Sequence, residues 1–187
     1  MKILAISGSL RKGSFNTALA HALPSLAPAG MEIEVVGIGH LPIYDQDLEA
    51  NYPKEAQAFK DKIEAADGLI FVTPEYNRSI PGGLKNAIDW ASRPWGKNSF
   101  KGKVVLAMGV SGGKIGTALA QSDLKEVMGY LDADVIGQPE LYLGPAAEIF
   151  EVSSDPAKVF SEPPGALKHE STRELLQKAL AVLASRV

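Results

Sequence analysis

The sequence predicts an α/β protein with a doubly wound, five-stranded parallel sheet and helices on both faces. Two observations support this fold class. Five short runs rich in apolar and β-branched residues alternate with stretches that have the spacing of amphipathic helices. The runs are apolar at successive positions, as strands are when helices cover both faces of a parallel sheet. In such sheets, ligands bind outside the carboxyl ends of the strands, where the winding direction reverses.

The predicted strands are each bounded by Gly, Pro or Asp, and they cover residues 2–7, 32–36, 68–73, 103–110 and 133–143. Helical spacing predicts helices over residues 15–26, 53–65, 81–93, 115–131 and 169–184. Two of these helices each have an apolar side, which favours packing on the sheet over ligand binding. The apolar residues are Leu84, Ile88 and Ala91 in one helix and Leu175, Leu176, Ala179, Leu180 and Leu183 in the other.

Composition limits the function classes. The chain has 187 residues, 45% of them hydrophobic, so we expect residues 1–187 to form a single domain. The formal net charge is −3 and the charges are scattered, which disfavours nucleic acid and membrane surfaces as partners. No apolar run approaches the roughly 18 residues of a membrane span, and we expect a cytoplasmic protein. Cysteine is absent and His21, His40 and His169 lack ligand spacing, so no metal site is predicted.

Two features leave alternatives open. Residues 144–165 interrupt the alternation with four prolines and mixed charge, around apolar residues Ile149, Phe150, Val152, Val159 and Phe160. This stretch is either a solvated surface loop or a segment that packs against a second subunit or forms part of a lid. Trp90 and Trp95 flank Arg93-Pro94, where a helix must end, and they are either anchors of a subunit interface or core residues.

The most informative segment joins the first strand to the first helix. Residues 8–16 read Gly-Ser-Leu-Arg-Lys-Gly-Ser-Phe-Asn. Glycines let backbone N–H groups approach an anion, serines add hydroxyl donors, Arg11 offers a charged fork, and the helix start points its positive end at the same spot. The spacing matches neither G-x-G-x-x-G nor a Walker A sequence, and a glycine-rich turn without a ligand is the alternative. The segment therefore predicts a phosphate site.

Two further loops follow predicted strands and should lie at the same edge of the sheet. Residues 74–81 carry an aromatic residue and an amide, and residues 111–116 are rich in small side chains. Lys114 is out of register with a P-loop lysine, so nucleoside triphosphatase chemistry is disfavoured. A phosphate cradle beside a loop with an aromatic and an amide predicts a site for flavin mononucleotide (FMN).

Three strings carry a resemblance to a known family. They are Gly-Ser-Leu-Arg-Lys-Gly-Ser-Phe-Asn at 8–16, Leu-Pro-Ile-Tyr-Asp at 41–45 and Thr-Pro-Glu-Tyr-Asn-Arg-Ser-Ile-Pro-Gly-Gly-Leu-Lys-Asn-Ala-Ile-Asp-Trp at 73–90. Over residues 1–143 the chain resembles the NADPH-dependent FMN reductases, which have a flavodoxin-like fold, and in particular bacterial quinone and chromate reductases. The resemblance implies strand order 2-1-3-4-5, non-covalent FMN, a homodimer or a dimer of dimers (a homotetramer), and an active site near the subunit interface.

The resemblance also implies roles for individual residues. The FMN phosphate is expected on Ser9, Arg11, Ser14, Phe15 and Asn16, the flavin ring on Pro74, Glu75, Tyr76 and Asn77, and a third contact on Ser111, Gly112 and Gly113. Tyr44 and Asp45 are expected to approach the pocket from a neighbouring loop, with Tyr44 contacting the substrate. Arg78 either meets a phosphate of NADPH or lies in water.

The implied activity is that of an FMN-dependent NAD(P)H oxidoreductase. It would pass two electrons by ping-pong hydride transfer to quinones, with chromate, free flavin and azo compounds as further acceptors. NADPH or NADH would supply the hydride and the flavin N5 would carry it, so no catalytic side chain is expected. The alternative is a flavodoxin-type carrier of single electrons. Such carriers are usually strongly acidic, and the nearly balanced charge of this chain favours the enzyme.

Overall fold

The computed structural model describes residues 1–155, 158–159 and 162–187, and it has a doubly wound α/β architecture. The strands are β1 (Lys2–Ser7), β2 (Glu32–Gly37), β3 (Gly68–Val72), β4 (Val104–Val110), β5 (Asp134–Val135) and β6 (Tyr142–Leu143). The helices are α1 (Phe15–Ala22), α2 (Lys54–Ala65), α3 (Gly82–Ala91), α4 (Ala118–Tyr130), α5 (Ala146–Ile149) and α6 (Glu170–Ala184). The strands are parallel in the order β2-β1-β3-β4-β5, which confirms the predicted order.

Alternate residues of the central strands face opposite sides of the sheet. On β1, Ile3 and Ala5 pack with α1 and α6, whereas Leu4 and Ile6 pack with α2, α3 and α4. All residues of β3 and β4 are buried, which explains why both strands read as continuous apolar runs. The predicted apolar sides of α3 and α6 are confirmed as core, with Leu175 partly buried and the other seven residues buried.

The prediction of one fifth strand over residues 133–143 is wrong. This part of the chain forms two short strands that pair with opposite ends of β4. β5 pairs with Val104 and Val105, and β6 pairs with Gly109 and Val110. Gly137 and Pro139 lie between the two strands, and proline has no N–H group with which to continue a ladder.

All five predicted helices are shorter as α-helices in the structure, two of them by four residues. The helix predicted over residues 15–26 ends as an α-helix at Ala22 and continues as a 3₁₀ helix, Leu23–Leu26, because Pro24 has no N–H for the next α-helical bond. The helix predicted over residues 115–131 begins at Ala118, since Thr117 is in the left-handed conformation with φ 68°. Among the described residues, no helix is both long and apolar enough to cross a membrane.

The described part of residues 144–165 packs on the chain's own core, which neither sequence interpretation anticipated. Phe150 is buried, its ring centre lies 6.0 Å from that of Phe15, and its backbone forms an antiparallel bridge with Leu167. Val152 and Val159 are partly buried against the same core cluster. Pro156 and Phe160 of this stretch lie outside the described residues.

Candidate functional site

Three loops leave the sheet together at the carboxyl ends of β1, β3 and β4. We call residues 8–16 the first loop, residues 74–81 the second and residues 111–116 the third. Hydrogen bonding of the sheet continues into the chain beyond each strand: Gly8 N–H donates to the Val72 carbonyl at 2.9 Å. Thr73 N–H donates in the same way to the Met108 carbonyl at 2.9 Å. The loops therefore start at the same level, beside the point between β1 and β3 where the winding reverses.

The first loop ends in a capped helix. Ser14 has an extended backbone, and its Oγ accepts from Thr17 N–H at 3.2 Å, as an N-cap residue does. Ser9 Oγ accepts from Arg11 N–H at 3.3 Å. The Arg11 guanidinium carbon lies 5.6 Å from the centre of the Phe15 ring. The loop thus combines two hydroxyls, a guanidinium and a helix N-terminus, which is a donor set suited to a phosphate.

Asn16 connects the first loop to the end of β4. Its Nδ2 donates to the Val110 carbonyl at 2.9 Å, and its Oδ1 accepts from Val110 N–H at 2.9 Å. Both residues are buried. The side-chain amide of Asn16 is therefore used to bind the backbone of Val110. The backbone N–H of Asn16, in the first turn of α1, is the group of this residue that suits a phosphate.

The second loop contains a tight two-residue turn. Tyr76 and Ser79 exchange both backbone hydrogen bonds, at 3.0 and 3.1 Å. The two central residues, Asn77 and Arg78, have φ angles of 52° and 68°, the pattern of a type I′ turn. Asparagine tolerates this conformation, whereas arginine adopts it at a cost of about 1 kcal/mol. The turn holds Tyr76 half-exposed beside the first loop.

Glu75 uses its side chain to bind helix α4. Its Oε2 accepts from Leu119 N–H at 3.0 Å and from Ala120 N–H at 3.2 Å, in the first turn of the helix. The family resemblance implied that Glu75 lies at the flavin ring. The structure leaves its backbone at the second loop and directs its carboxylate toward α4.

The third loop is shaped by a serine hydroxyl. Ser111 Oγ donates to the Gly113 carbonyl at 2.9 Å and accepts from Gly116 N–H at 3.2 Å, so it closes the loop on itself. Gly116 has φ 61°, and a Cβ there would lie 2.3 Å from the Tyr142 carbonyl carbon. Only glycine fits this position, which packs the loop tightly against β6.

The three loops border a cleft of about 150 Å³. Its lining residues are Ser9, Arg11, Ser14, Phe15, Asn16, Pro74, Glu75, Tyr76, Val110, Ser111 and Gly112. The structure therefore brings together all the residues predicted to contact the cofactor except Asn77 and Gly113, which adjoin the lining in the sequence. Val110 was missed, because a valine at the end of an apolar run has no signal that separates it from the core.

Tyr44 lies outside the described lining of this cleft. Its ring packs edge-on against Trp90, with 5.0 Å between ring centres, and its hydroxyl donates to Glu49 Oε1 at 2.6 Å. Burial and the hydrogen bond to Glu49 raise the pKa of Tyr44. Asp45 Oδ1 accepts from Asp47 N–H at 3.0 Å and so caps a 3₁₀ helix. The 41–45 string thus packs on α3 instead of entering the cleft.

Asn86 explains how that string is held. Its Oδ1 accepts from Tyr44 N–H at 2.7 Å, and its Nδ2 donates to the Pro42 carbonyl at 2.8 Å. Trp90 Nε1 donates to the same carbonyl at 2.8 Å. Asn86 belongs to the 73–90 string but was not among the expected site residues.

Trp90 and Trp95 lie in different environments. Trp90 is fully buried against Tyr44 and Tyr52, so of the two alternatives it is a core residue. Trp95 is 78% exposed, with the Arg93 guanidinium carbon 5.8 Å from its ring centre. Trp95 remains a candidate interface residue.

A larger groove, of about 740 Å³, runs between α3 and α4. It starts at Ser79 and Ile80 of the second loop and ends near Tyr130, which is 73% exposed. The first loop, which carries the phosphate donors, lies outside its described lining. The smaller cleft, where three strand-to-helix loops meet, is therefore the candidate ligand site.

Comparisons with known proteins agree with this geometry. Residues 1–148 match the family model described as NADPH-dependent FMN reductase. A 2-hydroxy-1,4-benzoquinone reductase of Burkholderia is 49% identical over 177 residues, which cover 95% of this chain and 91% of that protein. An NAD(P)H-dependent FMN reductase of Pseudomonas aeruginosa is 41% identical, over 98% of this chain and 93% of that protein.

A solved structure extends the likeness to three dimensions. The flavoenzyme NAD(P)H:(acceptor) oxidoreductase FerB of Paracoccus denitrificans has a TM-score of 0.85 and 39% identity to this chain. The match covers 98% of this chain and 95% of that one. The strand order, the three convergent loops and these matches lead to one assignment: the chain belongs to the NADPH-dependent FMN reductase family.

Proposed function

We propose that this protein binds FMN in the cleft between the three loops and uses NAD(P)H to reduce quinones. The observation that carries the proposal is the composition of the cleft. One side has the hydroxyls of Ser9 and Ser14, the guanidinium of Arg11 and the start of α1, whereas the other has Pro74 and Tyr76. The first side suits a phosphate and the second suits a flat aromatic ring.

The donors of the first loop fit a phosphate group. Ser9 Oγ and Ser14 Oγ each accept a hydrogen bond from a backbone N–H, so each hydroxyl proton can be donated to a phosphate oxygen. Arg11 adds charge-assisted hydrogen bonds, and its stacking on Phe15 restricts its rotamers. The backbone N–H groups of Phe15 and Asn16 complete the set at the first turn of α1.

The second and third loops fit the ring end of the cofactor. Pro74 is buried, Tyr76 is half-exposed, and Gly112 faces them without a side chain. Asn77 and Gly113 extend this surface in the sequence. The Arg78 side chain is 66% exposed beside it, and we propose that it meets a phosphate of NAD(P)H.

FMN, when bound, supplies the redox chemistry, because it can take a hydride from NAD(P)H and return two electrons to an acceptor. The residues of the chain bind and orient the partners. The Tyr44 hydroxyl donates its hydrogen bond to Glu49, outside the cleft. We therefore propose that Tyr44 transfers no proton to the acceptor. Quinones are the acceptor class we propose, since a planar ring can stack where the cleft is open, and the Burkholderia relative is named for a benzoquinone.

The deciding experiment is anaerobic reduction of the FMN-loaded protein. Addition of NADPH or NADH alone should bleach the flavin absorbance rapidly, and addition of a benzoquinone should restore it with two electrons transferred per quinone. The rates at which chromate, free flavin and an azo dye reoxidise the flavin, measured in parallel, rank these acceptors against the quinone. If bleaching requires a separate reductase, the protein is a flavodoxin-type electron carrier instead.

We also propose that a second copy of the chain completes the site. The cleft encloses about 150 Å³, less than the roughly 300 Å³ at which small-molecule pockets usually begin. One wall of the adjoining groove has Lys85 and Asp89, which pair at 2.7 Å, and Arg93 just beyond the end of α3, and its α4 wall has Asp123 and Glu126. A two-fold axis along the groove would bring Arg93 of each copy against the acidic α4 wall of the other.

A further inference from the structure

Glu75 joins the second loop to the start of helix α4, which follows the third loop. It lies between Pro74 and Tyr76 in the second loop, and its carboxylate accepts the N–H groups of Leu119 and Ala120, which follow the third loop. The residues are 44 and 45 positions apart in the chain. The contact therefore reports a tertiary connection and not a local turn.

Helix α4 lacks a conventional cap at its start. The N-cap residue, Thr117, is left-handed, and its side chain makes no capping bond. Its hydroxyl instead accepts from Gln121 Nε2 at 3.0 Å. The first turn of a helix carries N–H groups without intrahelical partners and a partial positive charge, and a carboxylate satisfies both. Glu75 supplies from a distant loop what a neighbouring Ser or Asp supplies at most helix starts.

The position of the carboxylate makes this contact strong. The Glu75 side chain is only 12% exposed, so water competes weakly for its oxygens. The other partner is Arg78, whose Nη1 lies 3.8 Å from Oε1 and whose side chain is exposed. An exposed ion pair at that distance contributes little. The two amides of α4 are thus the principal partners.

We propose that Glu75 is a positioning residue that fixes the separation between the second and third loops, and so the width of the cleft at the ring end of the cofactor. This role rests on the proposed function, because it is defined by FMN binding. Pro74 and Tyr76 on one side and Gly112 on the other line the cleft. Releasing the carboxylate would let the two loops move apart, while the phosphate donors of the first loop would stay in place.

The test compares Glu75→Ala with Glu75→Gln. The alanine variant should bind FMN roughly tenfold more weakly, since about two charge-assisted hydrogen bonds that hold the loops are lost. The glutamine variant keeps an acceptor oxygen and should retain most of the affinity. In the apoprotein, the amides of Leu119 and Ala120 should exchange their hydrogens faster in Glu75→Ala than in the wild type.

Asn98→Ala is a matched control at the opposite end of the same helix. Asn98 Nδ2 donates to the carbonyl of Leu131, the C-cap residue of α4, at 2.6 Å. This variant should lower the free energy of unfolding but leave FMN affinity unchanged. Wild-type FMN affinity in Glu75→Ala, or an equal loss in Asn98→Ala, would overturn the positioning role alone. Absence of FMN binding by the wild type would overturn the proposed function and the positioning role with it, and amide exchange would still report whether the contact exists.

Discussion

Asn16 and Val110 form a reciprocal pair in which one side-chain amide satisfies both backbone groups of a buried strand residue, each at 2.9 Å. The pair imitates one rung of a sheet ladder at the place where β4 ends. It joins the helix of the first loop to the start of the third loop. Two of the three loops that border the cleft are therefore connected through a single side chain.

Replacing Asn16 with Ala should lower the free energy of unfolding of the apoprotein by roughly 1–3 kcal/mol, because two buried backbone groups lose their partner. Urea denaturation followed by circular dichroism measures this change. Asn98→Ala also removes a side chain with two backbone contacts, but at a partly exposed position, and should cost less. Equal losses for the two variants would contradict the importance of burial at Asn16.

Replacing Arg11 with Ala should weaken FMN binding about 10- to 150-fold, since charge-assisted hydrogen bonds worth roughly 1.5–3 kcal/mol are removed. The apoprotein should remain folded. Fluorescence titration of FMN into apoprotein gives the affinity. Arg11→Lys keeps the charge but loses the planar fork, so its FMN affinity should lie between those of the wild type and Arg11→Ala. Unchanged affinity in Arg11→Ala would remove this residue from the phosphate site.

Turnover should give parallel initial-rate plots when NADPH is varied at several fixed quinone concentrations. The reason is that NADPH and quinone must use the one open side of the cleft in turn, so product leaves before the second substrate enters. Each substrate should also inhibit at high concentration by occupying the form of the enzyme meant for the other. Steady-state kinetics decides this, and intersecting plots would indicate that both substrates are bound together.

The protein should sediment at micromolar concentration with a mass of at least twice the 19.9 kDa of one chain. Glu126→Lys should shift it toward monomer, because a lysine on the α4 wall would repel the Arg93 guanidinium of the second copy.

The compensating variant sharpens this test. Combining Glu126→Lys with Arg93→Glu exchanges the two charges and should restore association. Recovery in the double variant identifies the groove between α3 and α4 as the interface. A wild-type mass of one chain would refute self-association altogether.

Lys60 should give stability a pH dependence of its own. Its ammonium is buried and donates to the carbonyls of Ala91 and Lys97 and to Ser99 Oγ, at 2.7–2.9 Å. Burial lowers the pKa of Lys60 below its ordinary value of 10.5. The unfolded chain therefore binds more protons at this position as the pH approaches 10.5, and the contribution of Lys60 to the unfolding free energy rises with pH in that window.

The measurement is the difference in unfolding free energy between the wild type and Lys60→Met, recorded from pH 7 upward. The wild type should gain unfolding free energy relative to Lys60→Met as the pH rises toward the pKa of Lys60 in the unfolded chain. A flat difference would mean that the pKa of Lys60 is the same in the folded and unfolded states.

Sequence reasoning succeeded where local pattern and structure agree. The core sides of α3 and α6 and the meeting of three loops follow from hydrophobic periodicity and from the rule that parallel strands end at one edge, whereas the strand order was implied by the family resemblance. Sequence reasoning failed where tertiary contacts decide the outcome. The break in the fifth strand depends on what β4 can pair with, and the burial of Trp90 depends on Tyr44 and Tyr52, which lie about 40 residues away.

The same limit applies inside the candidate site. The family resemblance predicted which residues gather at the cleft, but not what each side chain does there. Asn16, Glu75 and Ser111 were expected to face a ligand, and their side chains instead hold backbone groups of Val110, α4 and the third loop. A carboxylate or amide in a loop can serve either purpose, and only the position of distant backbone distinguishes them.

The divided fifth strand has a consequence for how this fold can vary. β5 and β6 are each fixed separately, by opposite ends of β4, and Gly137 and Gln138 between them are exposed. Extra residues inserted there need not shift the register of either half. Because β6 supports the third loop through the bond from Ser111 N–H to the Leu143 carbonyl, an insertion between β5 and β6 would leave that support in place. Residues 137–139 are thus a place where the chain can lengthen without disturbing the frame of the cleft.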